Sequence, residues 1–411
     1  MDNKIKLLVI TPNKTGVGYY RSMKPHTYMD EFYSDDFDIT IVDSIDLKNP
    51  EFGKGYDLVH FHANTTIETE LLINKMRILK KEFGTKFIMD LDDYWMLPPY
   101  FPQYKAYNQE YKIHEKIIEL IKHADYITTT TPIFAKEIQR FNKNVCVLPN
   151  AIDSREKQFQ VENNPSDRLR VGIICGSSHE KDIDLLNGMI NQLKGDMDRL
   201  QFVICGFDLN GSISYIDQKT GKVESRPIRP EETVWHKYEK ILTDNYSTVS
   251  PMYKNYLMSY NSFIEYPNFK NEAYRRCWTK PVNKYASHYN SIDVLLAPLV
   301  ENKFNAMKSQ LKCVEAGFFN KVIIAQDFGP YQIDLKSYIQ KGGAIDENGN
   351  ALLVDSNKNH KQWAKHIKFL LNNPDSRKKI ADNLSNKIKT EYSLETVTKN
   401  RVELYKKIYN N

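Results

Sequence analysis

Lysine, serine and glutamate recur at helical spacing in the segment ENKFNAMKSQLKCVEAG (301–317), which directly follows an apolar run. On a helix, Lys308, Lys312 and Glu315 lie on one face. Lys308 and Ser309 are expected at the helix start, where a lysine, a hydroxyl and free backbone amides together suit a diphosphate. Glu315 lies roughly 10 Å further along, which is about the separation between the diphosphate and the ribose of a nucleotide. The segment therefore predicts a nucleotide diphosphate site, and a solvated charged face is the alternative.

A glycine-containing turn follows the first apolar run, where KIKLLVIT (4–11) leads into NKTGVGYYR (13–21). Gly16 and Gly18 would let the backbone approach a ligand closely, and a following helix could turn its N-terminal amides toward an anion. A tight strand-to-helix turn is the alternative interpretation. A dinucleotide fingerprint would need a third glycine where the chain has Arg21, so the spacing disfavours an NAD site.

Two histidines lie near the end of another predicted strand, DLVHFHA (57–63). His60 and His62 share one face of that strand, because side chains alternate along it. A metal pair is disfavoured, since no third ligand has convincing spacing. A buried structural histidine and a histidine that contacts substrate both remain open.

Acids and aromatic residues are adjacent in FIMDLDDYWMLPPY (88–101). Asp90, Asp92 and Asp93 end a predicted strand, and Trp95 follows them directly. Consecutive carboxylates beside aromatic rings suit the hydroxyls and the apolar faces of a sugar. Acids that merely cap the next helix are the alternative.

The elements that position these residues alternate between short apolar runs and amphipathic stretches, which predicts βαβ units and parallel sheets. The pattern restarts at LRVGIICGSS (169–178), and KDIDLLNGMINQLKG (181–195) is predicted to be a helix. Polar, tyrosine-rich residues 208–270 break the rhythm and are interpreted as an insertion or lid.

We therefore predict an α/β protein with two Rossmann-like domains whose parallel sheets face each other across a cleft. The expected domains are residues 1–155 and residues 156–390, the second with the insertion at 208–270, followed by a C-terminal helix over 391–411. Ligands bind outside the carboxyl ends of the strands in such sheets, and the motifs above fall at those ends.

Composition limits the class of protein. The chain has 411 residues, of which 41% are hydrophobic and 27% charged, so fibrous and disordered classes are excluded. No apolar run approaches the ~18–20 residues of a membrane span, and the N-terminus lacks the pattern of a signal peptide. The five cysteines form no CxxC pair, which is typical of buried free thiols in a reducing compartment, and we expect a cytoplasmic protein. The net charge of +5 suits an anionic small ligand and permits nucleic acid.

The runs GIICGSSHEKDIDLL, DVLLAPLVENKFNAMKSQLKCVEAG and KVIIAQDFGPY resemble the donor-binding half of a GT-B glycosyltransferase, most closely glycosyltransferase family 4. The GVGYYR loop and the DLVHFH strand are similar to the acceptor-side half of that family. The resemblance covers nearly the whole chain apart from 208–270. It implies that the C-terminal segment crosses back to the first domain.

The resemblance also assigns roles on the donor side. A carboxylate on the C-terminal helix binds the donor ribose in this family, a role that falls on Glu315. The family usually has a second glutamate eight positions earlier, where this chain has Met307. An Arg and Lys pair often holds the diphosphate. Here Lys181 is kept, Gly176 stands in the arginine position, and His179 or Lys308 is expected to substitute.

These considerations together give a set of candidate site residues. The predicted donor-binding residues are Gly16, Gly18, Lys181, His179, Asn305, Lys308, Ser309 and Glu315. The predicted acceptor-binding residues are Asp93, Trp95, Tyr20 and Arg21. The predicted catalytic residues are Asp92, Lys308 and His62. In the family a histidine often occupies the position of Asp92, so this carboxylate is expected to orient the acceptor or accept its proton.

The implied function is transfer of a sugar from a nucleotide-diphosphate sugar to an acceptor hydroxyl, with retention of configuration and without a metal or other cofactor. A glycan is the expected acceptor, as in polysaccharide biosynthesis. The alternative is a hydroxylated DNA base, because GVGYYR and FNAMKSQLK also resemble bacteriophage glycosyltransferases and the stretch 208–290 is rich in Lys and Tyr. That stretch could equally be a packed helical lid. A catalytically silent nucleotide-binding protein is the non-enzyme alternative, favoured by Met307 and Gly176.

Overall fold

The computed structural model describes residues 4–64, 68–209, 211–216, 223–259, 264–355 and 360–411. Within these ranges the chain forms two parallel sheets of six strands each and one antiparallel hairpin. The predicted α/β class with two parallel sheets is confirmed.

The first sheet contains the strands β1 (Ile5–Ile10), β2 (Phe37–Val42), β3 (Leu58–His62), β4 (Lys86–Leu91), β5 (Tyr126–Thr129) and β6 (Val145–Val147). Its helices are α1 (Lys24–Phe32), α2 (Thr69–Phe83), α3 (Ile113–His123) and α4 (Pro132–Ile138). The strand order is β2-β1-β3-β4-β5-β6. A π-helical turn over Gly18–Met23 connects the first loop to α1.

The second half contains the strands β7 (Leu169–Ile174), β8 (Leu200–Phe207), β9 (Ser212–Ile216), β10 (Val223–Pro227), β11 (Tyr274–Trp278), β12 (Val294–Ala297), β13 (Val322–Gln326) and β14 (Leu352–Val354). The helices are α5 (Glu180–Ile183), α6 (Val234–Thr243), α7 (Pro251–Ser259), α8 (Lys303–Ala306), α9 (Leu311–Phe318), α10 (Tyr331–Asp334), α11 (His360–Asn372), α12 (Pro374–Glu391) and α13 (Leu394–Asn410). The sheet order β11-β8-β7-β12-β13-β14 is the order of a dinucleotide-binding fold, with β9 and β10 forming a separate hairpin.

Successive residues of β1 point to opposite faces of the first sheet. Leu7 and Val9 pack in one cluster with residues of α1 and α13. Leu8 and Ile10 pack in another with residues of α2 and α3. The last helix of the chain therefore lies against the first sheet.

The helix predicted over 181–195 is wrong, because these residues, all of which the structure describes, form the short helix α5 and separate 3-10 turns. Gly188 has a φ of +90°. That conformation is compatible with glycine and not with a continuous right-handed helix.

The predicted insertion at 208–270 contains the hairpin and the helices α6 and α7, and its residues 210, 217–222 and 260–263 lie outside the described ranges. Arg276 on β11 donates two hydrogen bonds, of 2.6 and 2.9 Å, to Glu239 on α6, and both side chains are buried. Tyr274 donates a third, of 2.9 Å, to the same carboxylate. This buried ion pair holds α6 against the edge strand of the second sheet.

His26 and His60 are fully buried between β3, α1 and α13. The centroids of their rings lie 4.5 Å apart. Neither ring nitrogen of His60 has a hydrogen-bond partner among the described residues. Burial, helped by the charges of Arg401 and Arg21 and opposed by that of Asp90, lowers the pKa of His60 to about 3. Burial also lowers the pKa of His26.

We expect acid to destabilise the fold through these rings. In the unfolded chain a histidine takes up its proton near pH ~6.5, whereas folded His60 stays neutral, so stability is lost as the pH falls from about 6.5 toward about 3. His60 alone contributes a slope of about 1.4 kcal/mol per pH unit to the free energy of unfolding in that window. Urea denaturation at a series of pH values should give His60→Leu a shallower slope than the wild type. If the free energies of unfolding of the wild type and of His60→Leu changed in parallel with pH below ~6, the prediction would be wrong.

Among the described helices, none is both long and apolar enough to cross a lipid bilayer.

Candidate active site

A cavity of about 790 Å³ opens between the carboxyl ends of the two sheets. The order of the strands reverses between β1 and β3 in the first sheet and between β7 and β12 in the second. Open α/β sheets bind ligands at such points. The loops after β1 and β4 form one wall of the cavity, and those after β7 and β12 form the other.

The loop after β1 is a tight turn built around Asn13. Its side-chain oxygen accepts backbone N–H groups from Thr15 at 2.9 Å and Gly18 at 3.3 Å. A Cβ on Gly18 would lie 1.8 Å from the Asn13 carbonyl oxygen, so the turn itself requires this glycine. A Cβ on Gly16 would meet nothing within 4 Å, and Gly16 lines the cavity. Gly16 is open to a ligand, whereas Gly18 is structural.

Arg21 is 1% exposed and serves as a structural anchor, although one edge of it lines the cavity. Its Nε and Nη2 donate to the two oxygens of Asp90 at 2.9 and 2.7 Å. Its Nη1 donates to the Leu148 carbonyl and to the Asn150 side chain. Arg21 thus forms a buried ion pair that fixes the ends of β4 and β6, and its contact with the acceptor stays a prediction.

The loop after β4 presents two carboxylates to the cavity. Asn64 N–H donates to Nδ1 of His62 at 3.1 Å, so the proton of this ring lies on Nε2, which donates to Asp92 at 2.9 Å. Asp92 and its neighbour Asp93 both line the cavity. His62 is 1% exposed and does not itself line the cavity, but its contact with Asp92 joins it to the site.

Lys308 and Ser309 line the opposite wall, in the turn between α8 and α9. They precede the helix, because α9 begins at Leu311, and so the predicted helix start at Lys308 is wrong. Lys308 forms no ion pair with any described residue. Burial lowers its pKa, against the charges of Asp182 and Asp93.

Lys312 adds a second cation to this wall and donates to the Ile174 carbonyl at 3.0 Å. Ser309 accepts a hydrogen bond of 3.2 Å from the Asn150 side chain, which joins the two halves at the base of the cavity. Lysines and a hydroxyl at one point make this wall suited to a diphosphate.

Glu315 ends the lysine-containing face of α9 and is 3% exposed at the cavity wall. Tyr20 and Tyr289 donate to its two oxygens at 2.8 and 2.9 Å. Burial raises the pKa of this carboxyl, while the two tyrosine hydroxyls oppose the shift. Tyr20 belongs to the first half and Glu315 to the second, so this hydrogen bond also crosses the cleft. Each carboxylate oxygen keeps a second lone pair that can accept a ribose hydroxyl.

No protein-family model matches this sequence, and no curated protein does either. Solved structures match over the whole chain. Sucrose-phosphate synthase from Thermosynechococcus elongatus has a TM-score of 0.64 at 13% identity, with 99% of this chain and 100% of that one covered. HepE from Anabaena in complex with UDP has a TM-score of 0.61 at 12% identity, with 98% and 100% covered. A glycosyltransferase from Rickettsia africae has a TM-score of 0.59 at 14% identity, with 100% of both chains covered. The chain has the GT-B fold.

Besides Gly18 and His62, three predicted site residues lie outside the cavity of this GT-B fold. Trp95 is 2% exposed and packs against Tyr94, Phe134 and Phe141, because it belongs to the core of the first half. Lys181 points to solvent, with its Nζ 3.9 Å from the Asp184 carboxylate.

Asn305 is the third residue, and it is 1% exposed. Its amide donates to the Asp182 side chain at 3.1 Å and to the Val300 carbonyl at 2.9 Å. Asn305 therefore supports Asp182 rather than contacting a ligand.

Sequence reasoning missed Lys312, which lines the GT-B cavity, and two residues that hydrogen-bond to lining residues, Asp182 and Tyr289. Lys312 was placed on the correct helix face but was not assigned to the site. Asp182 and Tyr289 were not predicted at all. Asp182 carried a weak signal, since it lies three residues after His179. Nothing in the sequence distinguishes Tyr289 from the other 25 tyrosines.

Groups of three or more His, Cys, Asp or Glu side chains arranged to hold a metal ion do not occur among the described residues.

Proposed function

We propose that this chain is a glycosyltransferase that moves a sugar from a nucleotide-diphosphate sugar to an acceptor hydroxyl. The observation that carries the proposal is the cleft itself, which has Lys308 and Lys312 on one wall and Asp92 and Asp93 on the other. The fold supports it, since Anabaena HepE, with the same architecture, was solved with UDP, with UDP and glucose, and with UDP-glucose. UDP-glucose is accordingly the first donor to test.

The two walls would divide the reaction between them. Lys308, Ser309 and Lys312 would stabilise the negative charge that develops on the departing diphosphate. Glu315 would hold the ribose at the far end of the same helix face. Asp92, fixed by His62, would orient the acceptor hydroxyl. Exclusion of water from the cleft would limit hydrolysis of the donor.

We further propose that transfer retains the anomeric configuration and needs no divalent cation. The grouping of lysines on the donor wall supports the second point, because they supply the positive charge that the diphosphate requires. Activity that survives a chelator would support it, and activity restored only by added Mg²⁺ or Mn²⁺ would refute it. The anomeric proton coupling of the product, measured by NMR, tests retention.

A glycan is the proposed acceptor. Four tyrosines of 208–290 lie in the core, since Tyr238, Tyr253, Tyr274 and Tyr289 are at most 1% exposed. Buried rings cannot stack on bases, so this stretch favours a packed structure over a nucleic-acid surface. A gel shift that weakens steeply with salt would restore the DNA alternative.

The direct test is incubation of this chain with a panel of nucleotide sugars and glycan acceptors. Release of free nucleotide that depends on the acceptor supports a glycosyltransferase. Binding of nucleotide without turnover, with every acceptor present, would instead indicate the catalytically silent protein.

We expect Asp92→Asn to lower kcat by about 10²-fold or more, with little change in the KM for the donor. The amide keeps the size of the side chain and can still accept from His62, so only the charge is lost. Initial rates at saturating donor measure the effect. Asp93→Asn, which removes the neighbouring charge in the same cavity, is the matched control and should mainly raise the KM for the acceptor. An unchanged kcat in Asp92→Asn would leave Asp92 with a structural role only.

A further inference from the structure

His179 lies on the donor wall, in the loop after β7, and its ring lines the cavity. Its Nδ1 is 2.8 Å from the carboxylate of Asp182, which is itself almost fully buried. The other oxygen of Asp182 accepts the Val300 N–H at 2.8 Å and the Asn305 amide at 3.1 Å. Asp182 is thus a carboxylate with fixed partners on both oxygens.

These contacts determine where the ring of His179 carries its proton. An ionised carboxylate can only accept hydrogen bonds, so Nδ1 must carry a proton and donate it to Asp182. Burial, together with the positive charges of Lys312 and Lys308, lowers the pKa of His179 to about 3, so the ring is neutral near neutral pH. A neutral ring with its proton on Nδ1 has a lone pair on Nε2.

Nε2 makes no hydrogen bond to any residue that the structure describes, and the ring is 18% exposed on the cavity side. A bare acceptor nitrogen repels phosphate oxygens, which carry lone pairs of their own. It is complementary to an O–H group. The lone pair of His179 therefore favours a contact with a hydroxyl group. It does not favour the contact with the diphosphate that was expected from the missing arginine.

We propose that Nε2 of His179 accepts a hydrogen bond from a hydroxyl of the sugar being transferred. The proposal rests on the proposed function and adds a specificity residue to it. The adjacent lysines bind the anionic part of the donor, and the Asp182–His179 pair recognises the polyhydroxylated part beside it. A nucleotide diphosphate without a sugar gains nothing from this contact.

Isothermal titration of the full chain with UDP and with UDP-glucose separates the two parts of the donor. We expect His179→Ala to lower the affinity for UDP-glucose by about three- to tenfold, which is the contribution of one hydrogen bond. The affinity for UDP should stay unchanged. His179→Gln, whose amide oxygen can occupy the position of Nε2, should recover part of the loss. Ser177→Ala, an exposed neighbour that does not line the cavity, is the control and should change neither affinity.

Three results would overturn the assignment. If His179→Ala lowered the affinities for UDP and for UDP-glucose equally, the ring would contact the diphosphate and not the sugar. Uptake of a proton on UDP binding near pH ~7, seen in buffers of different ionisation enthalpy and lost in His179→Ala, would show that the ring becomes a cation. An unchanged affinity for UDP-glucose would remove the contact altogether. Failure of the wild type to bind any nucleotide sugar of the panel would refute the proposed function itself, and with it this contact.

Discussion

Lys308→Ala should lower the turnover number by about 10²- to 10³-fold, the usual effect of removing one preorganised charge stabiliser from a transition state. Lys308 lines the cavity and forms no ion pair with a described residue, so its charge is available to a ligand. Its ammonium lies 5.3 Å from the centre of the Phe304 ring, which holds the side chain without neutralising it. A half-buried cation that has no ion-pair partner attracts an anion in the cleft more strongly than an exposed cation would.

The measurement is the initial rate of nucleotide release at saturating donor and acceptor, together with the melting temperature. Lys303→Ala is the matched control, because this lysine lies on the same segment but pairs with Glu137 at 2.7 Å outside the cavity. The control should retain wild-type turnover. If Lys308→Ala kept the wild-type turnover number, Lys308 would not contact the diphosphate. A large drop in melting temperature would mean that the side chain is structural.

Much of the fold follows from local pattern. Strands such as β8 and β13 are mostly apolar and buried along their whole length, and strands buried on both faces are typical of parallel sheets. The broken helix over 181–195 could not be foreseen, since its apolar spacing is helical although Asn187 is extended and Gly188 has a positive φ. The strand β11 was missed because it includes two arginines, and one of them, Arg276, is buried only by virtue of Glu239 from a distant segment.

The candidate site was predictable to the extent that it lies at strand ends. Gly16, Asp92 and Lys308 follow three different strands, and the topology brings all three to one cavity. The direction of each side chain was not predictable. Trp95 and Asp93 are two residues apart, yet one lies in the core and the other at the cavity.

Long-range partners explain the remaining differences. Arg21 and Asp90 are separated by 69 residues along the chain, and each would be a plausible ligand contact if the other were elsewhere. The cross-cleft hydrogen bonds from Tyr20 to Glu315 and from Asn150 to Ser309 likewise depend on how the two halves meet. The local sequence around one residue does not show which distant residue it will contact, so these pairings could not be predicted.

Arg21→Met should reduce the free energy of unfolding by about 3–5 kcal/mol, because it leaves the Asp90 carboxylate buried without its counter-ion. Both side chains are at most 1% exposed, and beyond Arg21 the hydroxyl of Thr128 donates to Asp90 at 2.6 Å. Arg21 lowers the pKa of Asp90 against the effect of burial, so this stabilisation is present above pH ~4 and is lost as the pH falls through the folded-state pKa. The difference in the free energy of unfolding between the wild type and Arg21→Met should be smaller in mild acid, because Asp90 can be protonated there. Urea denaturation at two pH values measures both effects, and the double variant with Asp90→Asn should recover part of the stability, because no unpaired charge remains. A variant that loses no stability but has a raised KM for the acceptor would instead make Arg21 a substrate contact.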